Sequence, residues 1–458
     1  MAQETIEKYE DNKMGYMSVG KLLFNMAIPM MISMLAQALY NVVDSVFVSQ
    51  ISEDALTAVS LAFPVQNLMI GIISGASVGM SAILSRSLGE KDRDKADKTA
   101  MQGMFLAAVC FAAFFIFALF GSKAFMRSQT DIEIIASYGV DYINICCFYS
   151  FGLVLQFISE RLLQSTGRTV HSMIVQGTGA IINIILDPIF IFGYFGVPRM
   201  EVAGAAVATV IGQIAAGLLG VLINLRYNKD ITLKIKNFLP DFTLIKNILE
   251  IGVPSMLMIA IGSVMTYCMN KILIAFSSTA VAVFGAYFKL QSFVFMPVFG
   301  LNNAMIPIVS YNYGAKQKER MIKAIKYSAI FAACIMLVGF AICQTIPDKL
   351  LLLFNASQDM LSIGVPALRI ICISFILAGI CIVISSVFQA VGCSIYSFFV
   401  SVGRQLVVLV PTAYLFSKIA ERSGDIKIIW FAFPIAELMS ALLCGIFLKI
   451  VLKKLSWD

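Results

Sequence analysis

Charge is what this chain conspicuously lacks. Only 13% of its 458 residues are Asp, Glu, Lys or Arg, against about 25% in a soluble domain, too few to coat a water-facing surface of this size. Histidine is nearly missing as well. The single His171 leaves a structural or catalytic zinc site without its usual nitrogen ligands. The ten cysteines lie in or at the ends of apolar segments, and even the neighbours Cys146 and Cys147 fall in no metal-ligand spacing, so they read as small packing residues. No His-Glu-x-x-His motif and no phosphate-cradling P-loop occurs. The chain has no means of hydrolysing ATP for itself, and an enzyme reading finds no support.

What is present is apolar and continuous. Hydrophobic residues make up 59% of the chain and the mean hydropathy is +0.87. Leu22 to Val48 carries one charge, Asp44, while Ala100 to Gly121 and Tyr327 to Pro347 carry none. A helix needs roughly 20 apolar residues to cross about 30 Å of hydrocarbon, and a lipid-facing backbone must satisfy its own hydrogen bonds, which leaves helices or closed barrels. These runs are too long for barrel strands. The pattern predicts an all-α membrane protein of about twelve transmembrane helices, near 20–48, 56–86, 97–121, 133–164, 169–195, 202–225, 244–276, 280–312, 320–346, 358–390, 394–418 and 425–451. The polar first twenty residues lack the short apolar core and small-residue cleavage site of a signal peptide, so the first helix is expected to remain.

Orientation follows the basic residues of short loops. Lys91, Arg93, Lys95 and Lys98 share one side with Arg226, Lys229, Lys234 and Lys236, with Lys316, Lys318, Arg320 and Lys323, and with the C-terminal Lys449, Lys453 and Lys454. The opposite loops Ser49 to Asp54 and Ser277 to Ala280 carry no basic residue, and Lys418, Arg422 and Lys427 form the one discordant loop. Both termini are expected in the cytoplasm of a bacterium, with the chain in its inner membrane. This asymmetry accounts for the net charge of +7 without a nucleic-acid partner.

The chain also repeats itself at a constant offset of 225 positions. Pro29 maps to Pro254, Gln66 to Gln291, Gly75 to Gly300, Ser85 to Ser310, Gly89 to Gly314, Lys91 to Lys316, Gln164 to Gln389 and Gly167 to Gly392. The register holds without gaps from Pro29 to Gly167 and fades in the fifth and sixth helices. Each half has an even number of helices, so the repeat is parallel, related by an axis along the membrane normal. The expected organisation is a tail over 1–20, an N-lobe over 21–226, a basic linker over 227–243 and a C-lobe over 244–458, two pseudo-symmetric six-helix bundles around a cavity. Such a monomer needs no partner chain; membrane lipid is its surroundings.

Polar groups inside these spans are the functional candidates, because an ionisable residue there costs about 2.5–3.5 kcal/mol even on the mildest scale. The first helix places Gln37, Tyr40, Asn41 and Asp44 on one stripe by spacings of 3, 4 and 7. The fifth carries Asn183 and Asp187 one turn apart, followed by Pro188, and the sixth carries Thr209 and Gln213 at i and i+4. At ~1.5 Å per residue, Asp44, Asp187 and Thr209 fall at similar depth, in the outer half of the first bundle. Two carboxylates in one low-dielectric cavity must share a proton or hold a cation between them, and oxygen ligands suit an alkali cation rather than a soft metal. The bland alternative is that both acids merely cap hydrogen-bond networks between helices. Pro29 and Pro188 predict kinks. The second half has no such cluster and offers Lys271, Lys289, Arg404 and Glu437, for which a balancing Arg404–Glu437 pair is the simplest reading. Glu160 and Arg161 sit near a helix end, where snorkelling or a local pair is expected.

With these residues in hand, the chain resembles the multidrug and toxic compound extrusion (MATE) family from Lys21 to about Leu452. The resemblance is carried by Tyr40-Asn-Val-Val-Asp-Ser-Val-Phe-Val48, Asn183-Ile-Ile-Leu-Asp-Pro-Ile-Phe-Ile-Phe192, Gly204-Ala-Ala-Val-Ala-Thr209, Tyr311-Asn-Tyr-Gly-Ala-Lys316 and Pro434-Ile-Ala-Glu437. It implies cation-coupled antiport, by Na+ or H+ and with no cofactor, of small organic cations. It also implies an N-lobe cation site at Asp44, Asn183, Asp187 and Thr209, with Pro29 and Tyr40 matching features of the family's first helix. Some relatives place further acids in the seventh and tenth helices. Here the seventh has Gly262 and Ser263, and the tenth carries its one carboxylate, Asp359, at its very start, which speaks against a C-lobe cation site. A lipid-linked oligosaccharide flippase of the same superfamily is the alternative, and it would use Lys271, Lys289 and Arg404 to hold pyrophosphate.

Overall fold

The computed structural model describes residues 12–233, 238–354 and 356–455. Residues 1–11 of the expected tail, and Lys234 and Lys236 of the expected linker, lie outside them. Eleven helices among the described residues are long and apolar enough to span a membrane, and a bent pair supplies a twelfth. In chain order they are α1 (Val19–Ser49), α2 (Glu53–Gly89), α3 (Arg93–Phe120), α4 (Glu133–Phe148 and Phe151–Ser165), α5 (Thr169–Phe192) and α6 (Glu201–Tyr227). The second half supplies α7 (Phe242–Ile274), α8 (Ser278–Gly314), α9 (Lys318–Thr345), α10 (Gln358–Ala390), α11 (Ser394–Ser423) and α12 (Lys427–Lys454). No strand occurs among the described residues.

The repeat written in the sequence is repeated in the backbone. α2 and α8 begin and end 225 positions apart, as do α3 and α9. Ser52 caps α2 by accepting from the Ala55 N–H at 3.0 Å, and Ser277 caps α8 by accepting from the Ala280 N–H at 3.1 Å, each satisfying a donor that the first turn leaves open. The Ser85 hydroxyl donates to the Ser165 carbonyl at 2.9 Å and the Ser310 hydroxyl to the Ala390 carbonyl at 2.8 Å. Gly167 and Gly392 turn the chain at φ 81° and 82°, a left-handed conformation that a side chain resists. Equal sequence positions thus meet equal partners, which is what two-fold pseudo-symmetry requires.

The halves meet through two matching seams, α2 on α7 and α1 on α8. A Cβ at Gly75 would lie 3.0 Å from the Met256 backbone nitrogen, and one at Gly300 would lie 2.7 Å from that of Met31, the position 225 earlier. At the end where the basic loops lie, a Cβ at Gly89 would fall 2.0 Å from the Tyr311 carbonyl oxygen and one at Gly314 would fall 2.1 Å from that of Arg86. The absent side chains let backbones approach closely, the usual means of packing helices in lipid.

α1 and α5 continue as helices through Pro29 and Pro188. One expectation of shape is corrected, that of an unbroken fourth helix over 133–164. The marked bend, 49°, lies in α4 between Phe148 and Phe151, where no proline occurs. The helix breaks instead at Tyr149 and Ser150, whose hydroxyl donates to the Cys147 carbonyl at 2.8 Å and so competes with the helical ladder.

Candidate cation-coupling site

α5 and α6 are drawn together by small residues. A Cβ on Gly212 would fall 2.7 Å from the Gly179 carbonyl oxygen, so the two backbones touch one turn from the polar groups. This contact sets Asn183 against Thr209. The Asn183 amide nitrogen lies 3.3 Å from Asp187 Oδ1 and 3.2 Å from Thr209 Oγ1. With the amide turned over, its oxygen accepts from the Thr209 hydroxyl at 3.2 Å while its nitrogen stays 3.3 Å from the Asp187 carboxylate. Asp187 is 0% exposed and Asn183 3%. α1 brings Asp44 close enough to Asp187 for their charges to act on one another, and Tyr40 within range of both. Asp44 Oδ1 is buried with no hydrogen-bond donor, an arrangement that leaves a carboxylate oxygen free to ligate a cation or carry a proton.

Beneath this cluster lies a polar chamber of about 70 Å³, lined by α1, α2, α4, α5 and α6 and by Asn303 of α8. Gln37, Tyr40 and Gln213 line it, and Gln176 donates to the Gln37 carbonyl oxygen at 2.9 Å across the α1–α5 contact. Of the first-helix stripe, Gln37 and Tyr40 line the chamber and Asp44 does not, while Asn41 is exposed, at the edge of the arc that the other three share. Pro29 is buried in α1 away from the chamber lining. Asp141 is exposed.

The chamber corrects the reading of Glu160 and Arg161. They neither snorkel nor pair with each other. They are 8% and 9% exposed; Glu160 accepts from Gln156 Nε2 at 2.9 Å, and Arg161 Nη1 donates to Gln164 Oε1 at 3.0 Å and to Asn303 Oδ1 at 3.0 Å. Sequence reasoning missed these residues together with Tyr142, whose hydroxyl accepts from Gln66 Nε2 at 2.9 Å.

In the second half, Arg404 Nη1 lies 2.9 Å from Glu437 Oε1. Lys271 and Lys289 are exposed and sit over the rings of Tyr267 and Phe354, so the four residues expected as one network divide into a pair and two separate lysines. One hydrolase-like string escapes the sequence reading: Gly75-Ala76-Ser77-Val78-Gly79 spells Gly-x-Ser-x-Gly. Its serine sits in the middle of α2 with the hydroxyl donating to the Ser74 carbonyl at 2.9 Å. The motif acts only at an exposed strand-to-helix turn beside a base, which this position is not.

Twelve apolar spans in two related sets of six, with acids buried among polar groups rather than beside a nucleophile, define a polytopic membrane transporter. A family model described as MatE matches residues 29–189 and 254–415, two stretches that begin 225 positions apart. The chain belongs to that family, the multidrug efflux transporters called MATE. It is 26% identical to the multidrug export protein MepA of Staphylococcus haemolyticus, over 93% of this chain and 92% of that one, and 26% identical to MepA of Staphylococcus aureus over 96% of each. A solved multidrug resistance MATE transporter of the MOP superfamily in an outward-facing conformation superposes with a TM-score of 0.91 at 25% identity, covering 98% of this chain and 99% of that one. A MOP superfamily transporter from Pyrococcus furiosus, described as having a binding pocket of reverse polarity that suggests a different function, superposes with a TM-score of 0.89 at 25% identity over the same shares.

Proposed function

We propose that the chain exports organic cations by alternating access, in exchange for protons or sodium ions bound at Asp44, Asn183, Asp187 and Thr209, from the bacterial cytoplasmic membrane with both termini in the cytoplasm. The observation that carries this reading is the Asp187–Asn183–Thr209 cluster, with the unpartnered Asp44 oxygen within electrostatic range. Two carboxylates held together out of water cannot both stay ionised without a counter-ion. A proton or alkali cation arriving from outside supplies it, and the hard oxygen donors favour such an ion over a soft metal. Its neutralisation stabilises a different packing of α1 against α5, and the organic cation leaves. Each charge moving inward contributes about 2.3 kcal/mol per 100 mV of membrane potential, about a fifty-fold concentration ratio.

The flippase alternative finds no support in the second half. A pyrophosphate site needs converging, uncompensated cations, whereas Arg404 is neutralised by Glu437 and the two lysines lie over different rings, Tyr267 and Phe354. In proteoliposomes with Na+ and H+ gradients imposed separately, Asp44→Asn and Asp187→Asn are expected each to lower gradient-driven ethidium efflux at least tenfold while leaving insertion intact. Wild-type rates in both variants overturn the reading, and the gradient that drives the wild-type protein identifies the ion.

A further inference from the structure

The acids assigned to coupling lie toward one end of the bundle, and the chamber that begins at their neighbours Asn183 and Thr209 extends from there to Glu160. On α5 the buried Gln176, Asn183 and Asp187 share a face at i, i+7 and i+11. At ~1.5 Å per residue they mark a polar line about 16 Å long, of which Gln176 and Asn183 line the chamber. Glu160 stands on the facing wall, 8% exposed, with the amide of Gln156 its one hydrogen-bond donor among the described residues. The cation next to it in sequence is engaged elsewhere, holding Gln164 and Asn303. A buried carboxylate with a single amide donor, aimed into a polar cavity, is far short of the hydrogen bonding that stabilises such a charge. The chamber's size indicates what completes it. A water needs about 10–15 Å³ of such space, so about 70 Å³ accepts a few waters or a partly dehydrated monovalent cation and is far too small for a drug-sized molecule.

We propose that Glu160 is a second, inner binding site for the coupling cation, which the ion occupies after leaving Asp44 and Asp187 and before entering the cytoplasm. The proposal rests on the coupling reading above. A proton arriving through chamber water converts the Glu160 carboxylate to the acid and is returned to water below it. A sodium ion is held by the same oxygen, with the amide oxygens of Gln156 and Gln37 as neutral ligands. The groups facing Glu160 are Arg161 on its own helix, Tyr40 on α1, and the uncharged Gln213 on α6, Gln176 on α5 and Asn303 on α8. Arg161 therefore offsets part of the charge, which suits a site that must release its ion.

The full chain is tested in proteoliposomes as Glu160→Gln, Glu160→Asp and Gln156→Leu, beside Asp187→Asn. Thermal unfolding of each purified variant in detergent serves as the check that it is folded, and ethidium binding is measured separately. Glu160→Gln is expected to bind ethidium within twofold of wild type, to lose gradient-driven efflux at least tenfold, and to lose ethidium-stimulated uptake of H+ or of radioactive Na+. Glu160→Asp regains part of both, and Gln156→Leu lowers both severalfold while keeping the acid. Wild-type driven efflux in Glu160→Gln overturns the proposal. So does a loss of ethidium binding in Glu160→Gln, with Gln156→Leu coupling normally, since that places Glu160 in substrate recognition. If Asp44→Asn and Asp187→Asn pump normally while Glu160→Gln does not, the outer site is misassigned and the inner carboxylate remains as the coupling group.

Discussion

A charged residue deep in an apolar bundle is tolerable only while its partner stays. Arg404 and Glu437 show the asymmetry: their side chains are 25% and 12% exposed and 2.9 Å apart, and Glu437 Oε2 has no further donor. Arg404→Leu strands a carboxylate and is expected to destabilise the second bundle by about 3–5 kcal/mol, whereas Arg404→Leu with Glu437→Leu recovers most of that loss. The transition temperatures of the purified variants give the double-mutant cycle, and additive losses would show that the pair is not coupled. The same logic explains what the sequence revealed of the site. Asp44 and Asp187 stand out because nothing nearby in sequence balances them and because Asn183 lies one turn from Asp187, as Thr209 does from Gln213. Glu160 and Arg161 do not, because opposite charges side by side within five residues of a loop resemble a solvated local pair. The available signal was subtler: Gln156, Glu160 and Gln164 recur every four residues, a polar stripe on a helix whose other faces are apolar. Asn303, contributed from 142 positions away, had no sequence signal at all.

Helix ends are decided by local chemistry that hydropathy does not register. Expectation placed the start of α3 at residue 97, but the helix begins at Arg93, capped by Asp92, whose carboxylate accepts from the Lys95 N–H at 2.9 Å; its first turn is charged and stands outside the hydrocarbon. The short helices Ser122–Gln129 and Pro347–Leu352, of matching position in the two halves, are too short and too polar to appear as spans. The departures from regular helix, at Tyr149–Ser150 in α4, at Cys372–Ser374 in α10 and over the π-helical Gly403–Leu409 in α11, lie inside apolar runs that predict continuous helix. The long runs and the 225-residue repeat, by contrast, were legible at once, because lipid enforces length and duplication preserves register. That duplication makes a prediction about elements. Ser52→Ala and Ser277→Ala each remove one equivalent N-cap and are expected to cost about 1 kcal/mol apiece, with the double variant near the sum, since the caps share no partner. Thermal unfolding of the three variants measures it, and a single cap with no effect would show that tertiary packing alone fixes that end.

Alternating access requires the seams between the halves to open, and the molecule closes the end bearing the basic loops with more than the glycine contacts. The segment before α1 crosses from one half to the other. Asn12 Nδ2 donates to the Thr166 carbonyl at 3.1 Å and to Asp230 Oδ1 at 3.2 Å, while Arg320 Nη2 donates to the carbonyls of Met14 at 3.0 Å and Met17 at 2.7 Å. Met14 is 0% exposed beneath them. Separation of the halves at this end must break one set of these bonds. A hydrogen bond from a charged donor contributes about 1.5–3 kcal/mol, so Arg320→Ala is expected to raise the fraction of molecules open at this end about tenfold or more. Gly79→Ala acts on the same equilibrium by another route, since its Cβ would fall 2.1 Å from the Ile248 carbonyl oxygen, a clash that only separation of α2 from α7 relieves. Spin labels on the exposed Arg226 and Lys323, one in each half, read the outcome as a population at longer distance in both variants. An unchanged distance distribution in Arg320→Ala, with the protein folded and able to bind ethidium, would mean that the strap rides with one half and leaves closure to the helix seams.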